Sequence, residues 1–369
     1  MIDREERLAY LTVAMVPGIG AARLAALRSA LGSFRAVLAA PVPVLRSVPT
    51  MTRAAATAVH RASPAIAEGI LEQLRAMGGV LLTPDDQRYP DSLTQLREPP
   101  PLLFALGRLE LLERIAVAVV GSRLPTTYGR DAARLVARSA VGAGLVVVSG
   151  MARGLDAVAH EAALDAGGGS IGVLGNGLGV VYPAANRTLY ERMAGAGLLL
   201  TEHPPGERPN AGSFPVRNRI IAALARVTVV VEAAMDSGAL QTAEHALGLG
   251  REVMAVPGPI TSSTSSGTNR LLRDGASHWL EPDDLLGLIP EIAPEVRTAF
   301  RNATAPEVVA ARLRDELRRL YQRLDGNPRS ADELAHQLSA SPATVLALLS
   351  ELEIDGVAER RAGGYVRLF

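Results

Sequence analysis

The 369-residue sequence has no cysteine and no lysine, and only 4% of it is aromatic. Without cysteine there is neither a disulfide framework nor a thiolate metal site, and the six histidines fall at no metal-ligand spacing. No apolar run approaches the roughly 20 residues that span a bilayer. The opening Met1-Ile2-Asp3-Arg4-Glu5-Glu6 has no basic-then-apolar signal pattern. A cytoplasmic protein is therefore expected, with no membrane insertion, no metal and no cofactor. All 38 basic residues are arginine, a bias that a GC-rich genome is enough to give, and 38 acids cancel them. Any site for a polyanion must be local.

What is present is apolar mass, 48% of the chain, enough for two or three domains with cores of their own. Residues 1–78 read as a small helical domain, because Leu8-Leu11-Met15 and Leu24-Leu27-Leu31 recur at helical spacing. A Pro-rich stretch from Pro84 to Pro101 leads to an accessory strand, Leu102 to Leu106. From there to about residue 285, apolar runs ending in glycine alternate with helical segments: Ile115–Val120, Leu145–Val148, Ser170–Leu174, Leu198–Leu200, Val227–Val231 and Glu252–Val256. That is the pattern of a Rossmann-like, mostly parallel sheet covered on both faces, and it defines an α/β domain over 79–285. Residues 286–307 read as a linker. Residues 308–369 begin with one long helical pattern, Val308 to Leu324. They continue as helix, turn, helix and a ribbon turned at Gly363-Gly364, the plan of a winged helix, with Ser330 and Glu333 as a capping box.

The chemistry sits at the expected strand ends, where sheets of this kind bind ligands. Near the N-terminus, Val16-Pro17-Gly18-Ile19-Gly20 before a helix matches a helix-hairpin-helix turn, for which a DNA contact and a plain structural turn both stay open. After the first strand, Gly121-Ser122-Arg123 offers backbone N–H groups beside a guanidinium, which suits a phosphate. It lacks the G-x-G-x-x-G spacing and the acid some 20 residues on that a dinucleotide needs. The second turn, Ser149-Gly150-Met151-Ala152-Arg153-Gly154-Leu155-Asp156, flanks an arginine with two glycines that allow close backbone approach. Asp156 is placed to cap the helix and His160 lies four residues on, a pair read as structural. In Phe214-Pro215-Val216-Arg217-Asn218-Arg219 two arginines bracket an asparagine where a helix starts. The macrodipole disfavours cations there, and an anion between them would remove the conflict. Pairing with Glu202 and Glu232 is the structural alternative. Ser237, Gly238 and Thr242 put small polar groups at another helix start. Across 121–219 there are ten arginines and seven acids, so the arrangement and not the bulk charge must do the binding.

These motifs, in this order from Tyr89-Pro90 to Gly275-Ala276, resemble the DNA-processing protein A family, also called Smf, whose members load the RecA recombinase onto incoming single strands in natural transformation. The flanking domains resemble the family's as well. The resemblance implies that Arg123, Arg153, Arg217 and Arg219 contact single-stranded DNA, that the Rossmann-like domain self-associates as a homodimer, and that RecA is a partner. It implies no enzyme. Arg153 departs from the family's frequent lysine, exchanging a point charge for a planar fork. The expected DNA-binding set is Gly121, Ser122, Arg123, Ser149, Gly150, Arg153, Gly154, Phe214, Arg217, Asn218, Arg219, Ser237, Gly238 and Thr242.

The rival reading is a phosphoribohydrolase on a related Rossmann-like core. Its Pro-Gly-Gly-x-Gly-Thr-x-x-Glu signature would have to fall near Asp236 to Glu244, where Ser237-Gly238-Ala239-Leu240-Gln241-Thr242 breaks it. A pure interaction scaffold leaves the arginines at the strand ends without a purpose. With few aromatics, phosphate contacts should dominate over base stacking. Apolar residues around Leu271-Leu272 and Trp279-Leu280 are the candidates for self-association.

Overall fold

The computed structural model describes residues 3–292 and 306–367. The chain forms two compact units, Met1–Ile289 and Pro290–Phe369. Of the linker expected over 286–307, residues 293–305 lie outside the described residues, and residues up to Gly287 still belong to the helix Pro282–Gly287.

The first unit opens with six helices between Arg4 and Ala76. Asp3, Ser33, Thr52 and Ser63 cap four of them by accepting amide hydrogen bonds in the first turn. Their apolar stripes meet in a core that holds Leu11, Leu27, Phe34, Val37, Leu45 and Val59.

The sheet that follows has nine strands. They are β1 (Val80–Leu82), β2 (Leu103–Gly107), β3 (Ala116–Val120), β4 (Val146–Ser149), β5 (Ser170–Val173), β6 (Leu198–Thr201), β7 (Val227–Val230), β8 (Glu252–Ala255) and β9 (Ser277–His278). Their spatial order is β1-β2-β6-β5-β4-β3-β7-β8-β9. The β1–β2 and β2–β6 pairs are antiparallel and every other pair is parallel. Strands β3 to β7 are buried along their whole length because helices cover both faces, which is why they read as unbroken Val- and Leu-rich runs. The two edge strands, three and two residues long, are too short to leave a periodic signal. From β3 the chain winds outward through β4, β5 and β6, then returns to place β7 on the other side of β3. The loops leaving β3 and β7 therefore part in opposite directions and open a crevice at their carboxyl ends.

Trp279, an expected interface residue, is a core residue here, 4% exposed beside β8, while Leu280 is 65% exposed.

In the second unit the pattern expected as one helix from Val308 to Leu324 is two, Pro306–Arg312 and Asp315–Tyr321. Arg314 is extended between them. The Arg318 guanidinium donates to the carbonyls of Ala310 (2.9 Å) and Leu313 (2.8 Å), satisfying the end of the first helix so that the chain can break while the apolar period runs on. Helices Ala331–Leu338 and Pro342–Ile354 and the hairpin Ala358–Arg361/Gly364–Arg367 complete a winged helix. Only half of the capping box forms: the Glu333 amide donates to Ser330 Oγ (3.1 Å), but its carboxylate takes Arg329 at 3.0 Å.

Candidate nucleic-acid interface

The crevice beside β3 and β7 is a cleft of about 500 Å³. One wall is the loop Gly121–Leu124 after β3, another is the helix Ser213–Leu224, and the third is the start of the helix Gly238–Gly248. Nine of the expected residues line it: Gly121, Ser122, Arg123, Phe214, Arg217, Asn218, Ser237, Gly238 and Thr242. Gly150 and Arg153 line an adjoining hollow of about 310 Å³, which shares Arg123, Leu124, Ala152 and Phe214 with the cleft.

Each wall is set locally. Gly121 has no room for a Cβ, which would lie 2.4 Å from Leu155. The Ser122 amide is fixed to the Glu232 carbonyl at 2.7 Å and its hydroxyl accepts from the Leu124 amide at 3.1 Å. Ser237 caps its helix by accepting from the Ala239 amide (3.3 Å), and the Asn218 side chain crosses to the Gly238 carbonyl (3.3 Å), joining two walls. Arg123 is left at the rim, exposed, with its guanidinium 5.8 Å from the centre of the Phe214 ring and no ion pair among the described residues. Phe214 in turn lies 5.4 Å from Tyr182, which is 49% exposed. Gly175 makes space for it: a Cβ there would be 2.7 Å from the Phe214 ring. Arg153 is also exposed and makes no ion pair among the described residues.

The loop after β4 is organised differently from its sequence expectation. Every backbone polar group from Gly150 to Ala152 is met by a side chain of the same protein. Asp156 Oδ2 accepts from the amides of Gly150 (3.1 Å) and Ala152 (3.3 Å), and His160 Nε2 accepts from the Met151 amide at 3.4 Å. Asn186 Nδ2 donates to the carbonyls of Met151 (3.0 Å) and Ala152 (3.1 Å), and Arg217 Nη1 donates to the Gly150 carbonyl at 2.5 Å. Asp156 and His160 thus hold the preceding loop and do not pair with each other, and Gly154 occupies the N-cap position. The glycines are required by internal packing. A Cβ on Gly150 would fall 2.3 Å from the Arg217 guanidinium, and one on Gly154, where φ is +79°, 2.4 Å from the Ser122 carbonyl. Ser149 is fully buried and donates to the Val119 carbonyl at 2.6 Å.

Burial sets the charge states. It pushes the His160 imidazole down to about 3, with the Arg217 charge adding to the effect, so His160 is neutral and its Nδ1 meets Ser170 Oγ at 2.7 Å. Burial raises the Asp156 carboxyl, opposed by Arg217 and by the amide bonds it accepts. Burial also lowers Arg217 to about 10, with Asp156 opposing and Arg123 adding.

Arg217 and Arg219 do not hold one anion between them. The helix begins at Ser213, which puts both in its second turn, and two residues along a helix rotate a side chain by about 200°. Arg219 faces away from the cleft. It makes a bidentate pair with Glu202, both contacts 2.6 Å, and lines a second groove of about 880 Å³ beside Tyr89 and the Gly18–Gly20 turn. Among the described residues Glu232 pairs with no arginine: it accepts from the Thr126 amide (2.9 Å) and from the hydroxyls of Thr126 (2.9 Å) and Thr264 (2.7 Å). Glu244, the position at which a phosphoribohydrolase would need a carboxylate, is exposed and does not line the cleft. Two residues outside the expected DNA-binding set, Tyr182 and Asn186, also belong to this site, Tyr182 lining the adjoining hollow and Asn186 holding its loop. Their signal was an aromatic-proline pair and an amide soon after a glycine-bearing strand end.

Comparison with known proteins agrees with this architecture. The family model for DNA recombination-mediator protein A matches residues 80–290, and that for the DprA winged helix domain matches residues 304–364. Protein Smf of Escherichia coli is 38% identical over 296 residues, which cover 78% of this chain and 77% of that protein. DNA processing protein DprA of Streptococcus pneumoniae is 44% identical over 201 residues, covering 54% and 71%. Its X-ray structure superposes with a TM-score of 0.68 at 32% identity, covering 79% of this chain and 99% of that one. A structure of DNA processing protein A from Helicobacter pylori, described for its single-stranded DNA binding mode, superposes with a TM-score of 0.51 at 31% identity, covering 56% and 94%. On the family models, the relatives and the shared sheet, the chain belongs to the DNA recombination-mediator protein A family.

Proposed function

We propose that the cleft at the carboxyl ends of β3 and β7 binds single-stranded DNA and that the chain is a recombination mediator, loading RecA onto incoming strands as a cytoplasmic homodimer. The observation that carries the DNA reading is Arg123: a guanidinium at the rim of the cleft, over the Phe214 ring and paired with no carboxylate among the described residues. It supplies a phosphate contact next to aromatic faces on which a base can rest. Arg153 extends the cationic rim into the adjoining hollow. The Helicobacter relative's single-strand binding supports the same assignment. The cleft is a concave hollow of about 500 Å³ walled by a loop and two helices, a shape that suits a flexible single strand, so single strands are preferred over duplex. The mediator role rests on family membership, and the homodimer on that and on exposed Leu280 near the end of the sheet.

Competition between single-stranded and duplex oligonucleotides in gel retardation tests the DNA reading, and a nucleoside monophosphate hydrolysis assay tests the enzyme alternative. Preferential retardation of single strands without base release is the expected pair of results. Release of a free base would favour the hydrolase. RecA filament growth on a single strand, with and without the protein, tests the mediator role.

A further inference from the structure

Arg217 lines the cleft, yet it is only 5% exposed and its Nη1 faces inward. Nη1 donates to the Gly150 carbonyl at 2.5 Å and also to the Val173 carbonyl. One belongs to the loop after β4 and the other to the end of β5, so the guanidinium ties the helix Ser213–Leu224 to two neighbouring strand ends. Its Nε is buried without a hydrogen-bond partner among the described residues, and Asp156 supplies the nearby countercharge. Gly150 is shaped to it, since a Cβ there would lie 2.3 to 2.6 Å from three atoms of the guanidinium group.

We propose that Arg217 is a positioning residue of the single-strand site: it sets the Gly150–Ala152 loop, and through it Arg153 and the floor beside Phe214, without touching a phosphate. This rests on the cleft being the single-strand site. A phosphate ligand needs donors free to turn outward, as those of Arg123 are, whereas Arg217 is 5% exposed and its Nη1 is spent on two carbonyls that nothing else among the described residues satisfies by side chain. The loop it holds has the rest of its polar groups already matched by Asp156, His160 and Asn186. Arg217 supplies the one remaining acceptor with its donor and so completes a rigid support for the exposed arginine that follows.

The test uses the full chain with Arg217→Met, Gly150→Ala and Arg123→Ala. Two readouts are needed: affinity for a fluorescent oligothymidine across a salt series, and amide hydrogen exchange over residues 150–153. Gly150→Ala keeps every charge and only displaces the guanidinium, so it stands in should Arg217→Met fail to fold. Both variants are expected to speed exchange in the loop and to weaken binding about tenfold while leaving the salt slope at the wild-type value. Arg123→Ala should leave loop exchange unchanged and lower the slope by about 0.7, the loss of one phosphate contact on a single strand. A slope that falls in Arg217→Met as it does in Arg123→Ala would overturn the positioning role, as would wild-type binding and exchange in Gly150→Ala. If the wild-type protein does not bind the oligonucleotide at all, the single-strand reading falls first and the proposal with it.

Discussion

The loops after β3 and β4 carry the same short signature, a glycine followed within three residues by an arginine, and the fold supports them in different ways. After β3 the arginine stands free at the rim, over an aromatic ring. After β4 the backbone is enclosed by side chains from Asp156, His160, Asn186 and Arg217, the last two brought from distant elements. Both loops present an exposed arginine, but the one after β4 rests it on a buried polar lattice. A glycine-arginine pattern marks a strand end, and residues distant in sequence decide how the backbone beneath the arginine is held.

Breaking the lattice should have the largest effect. Asp156→Ala removes the acceptor of two amides and leaves Arg217 buried without its countercharge, for an expected loss of about 3–5 kcal/mol in urea unfolding. Arg123→Ala, at an exposed site, should stay within about 0.5 kcal/mol of wild type. Equal costs at the two positions would erase the contrast between the loops.

Acid should reveal the same lattice. His160 is held neutral, its folded value lowered to about 3 against 6.5 for the free side chain. The unfolded chain therefore takes up a proton that the folded one refuses, and stability is lost as the pH falls below 6.5 until about 3. That is about 2 kcal/mol by pH 5. His160→Gln should flatten this slope, and a wild-type protein equally stable at pH 7 and pH 5 would contradict the buried, neutral imidazole.

Binding should separate the arginines themselves. Arg123→Ala is expected to weaken oligothymidine binding about tenfold, about 1.4 kcal/mol. Arg219→Ala should cost less than about threefold, because its charge is already spent on Glu202 and it lines the other groove. The reverse ranking in fluorescence anisotropy would place the strand on the far side of the helix Ser213–Leu224.

The central architecture was legible in the chain. Strands β3 to β8 announce themselves as glycine-terminated apolar runs, because double coverage makes their burial continuous, and the cleft residues Gly121–Arg123 and Ser237–Gly238 were found at their ends. What the sequence concealed depends on direction and distance. Neighbouring arginines 217 and 219 look like one cluster in a line of letters, and the helical rotation sends one inward and the other across to Glu202. The role of Gly150 is set by a guanidinium 67 residues away. The break at Arg314 leaves the apolar period intact, so no pattern betrays it.

The smallest expected effect comes from the second unit. Four arginines of this unit are engaged: Arg314 with Glu351, Arg361 with Glu359, Arg360 over Tyr365 and Arg367 over Tyr321. The helix Pro342–Ile354 carries acids and no arginine. A chain ending at residue 289 should keep single-strand affinity within about threefold, and a loss beyond about tenfold would assign the winged helix a principal share of the DNA site.

The most direct test of the account is to locate the strand on the protein. Oligothymidine carrying 4-thiothymine, photocrosslinked to the full-length chain and mapped by mass spectrometry, should attach to peptides containing Tyr182 or Phe214 at the cleft beside β3 and β7. Crosslinks confined to the helix Ala21–Leu31 or to the wing, residues 358–367, with the cleft peptides unmodified, would contradict it.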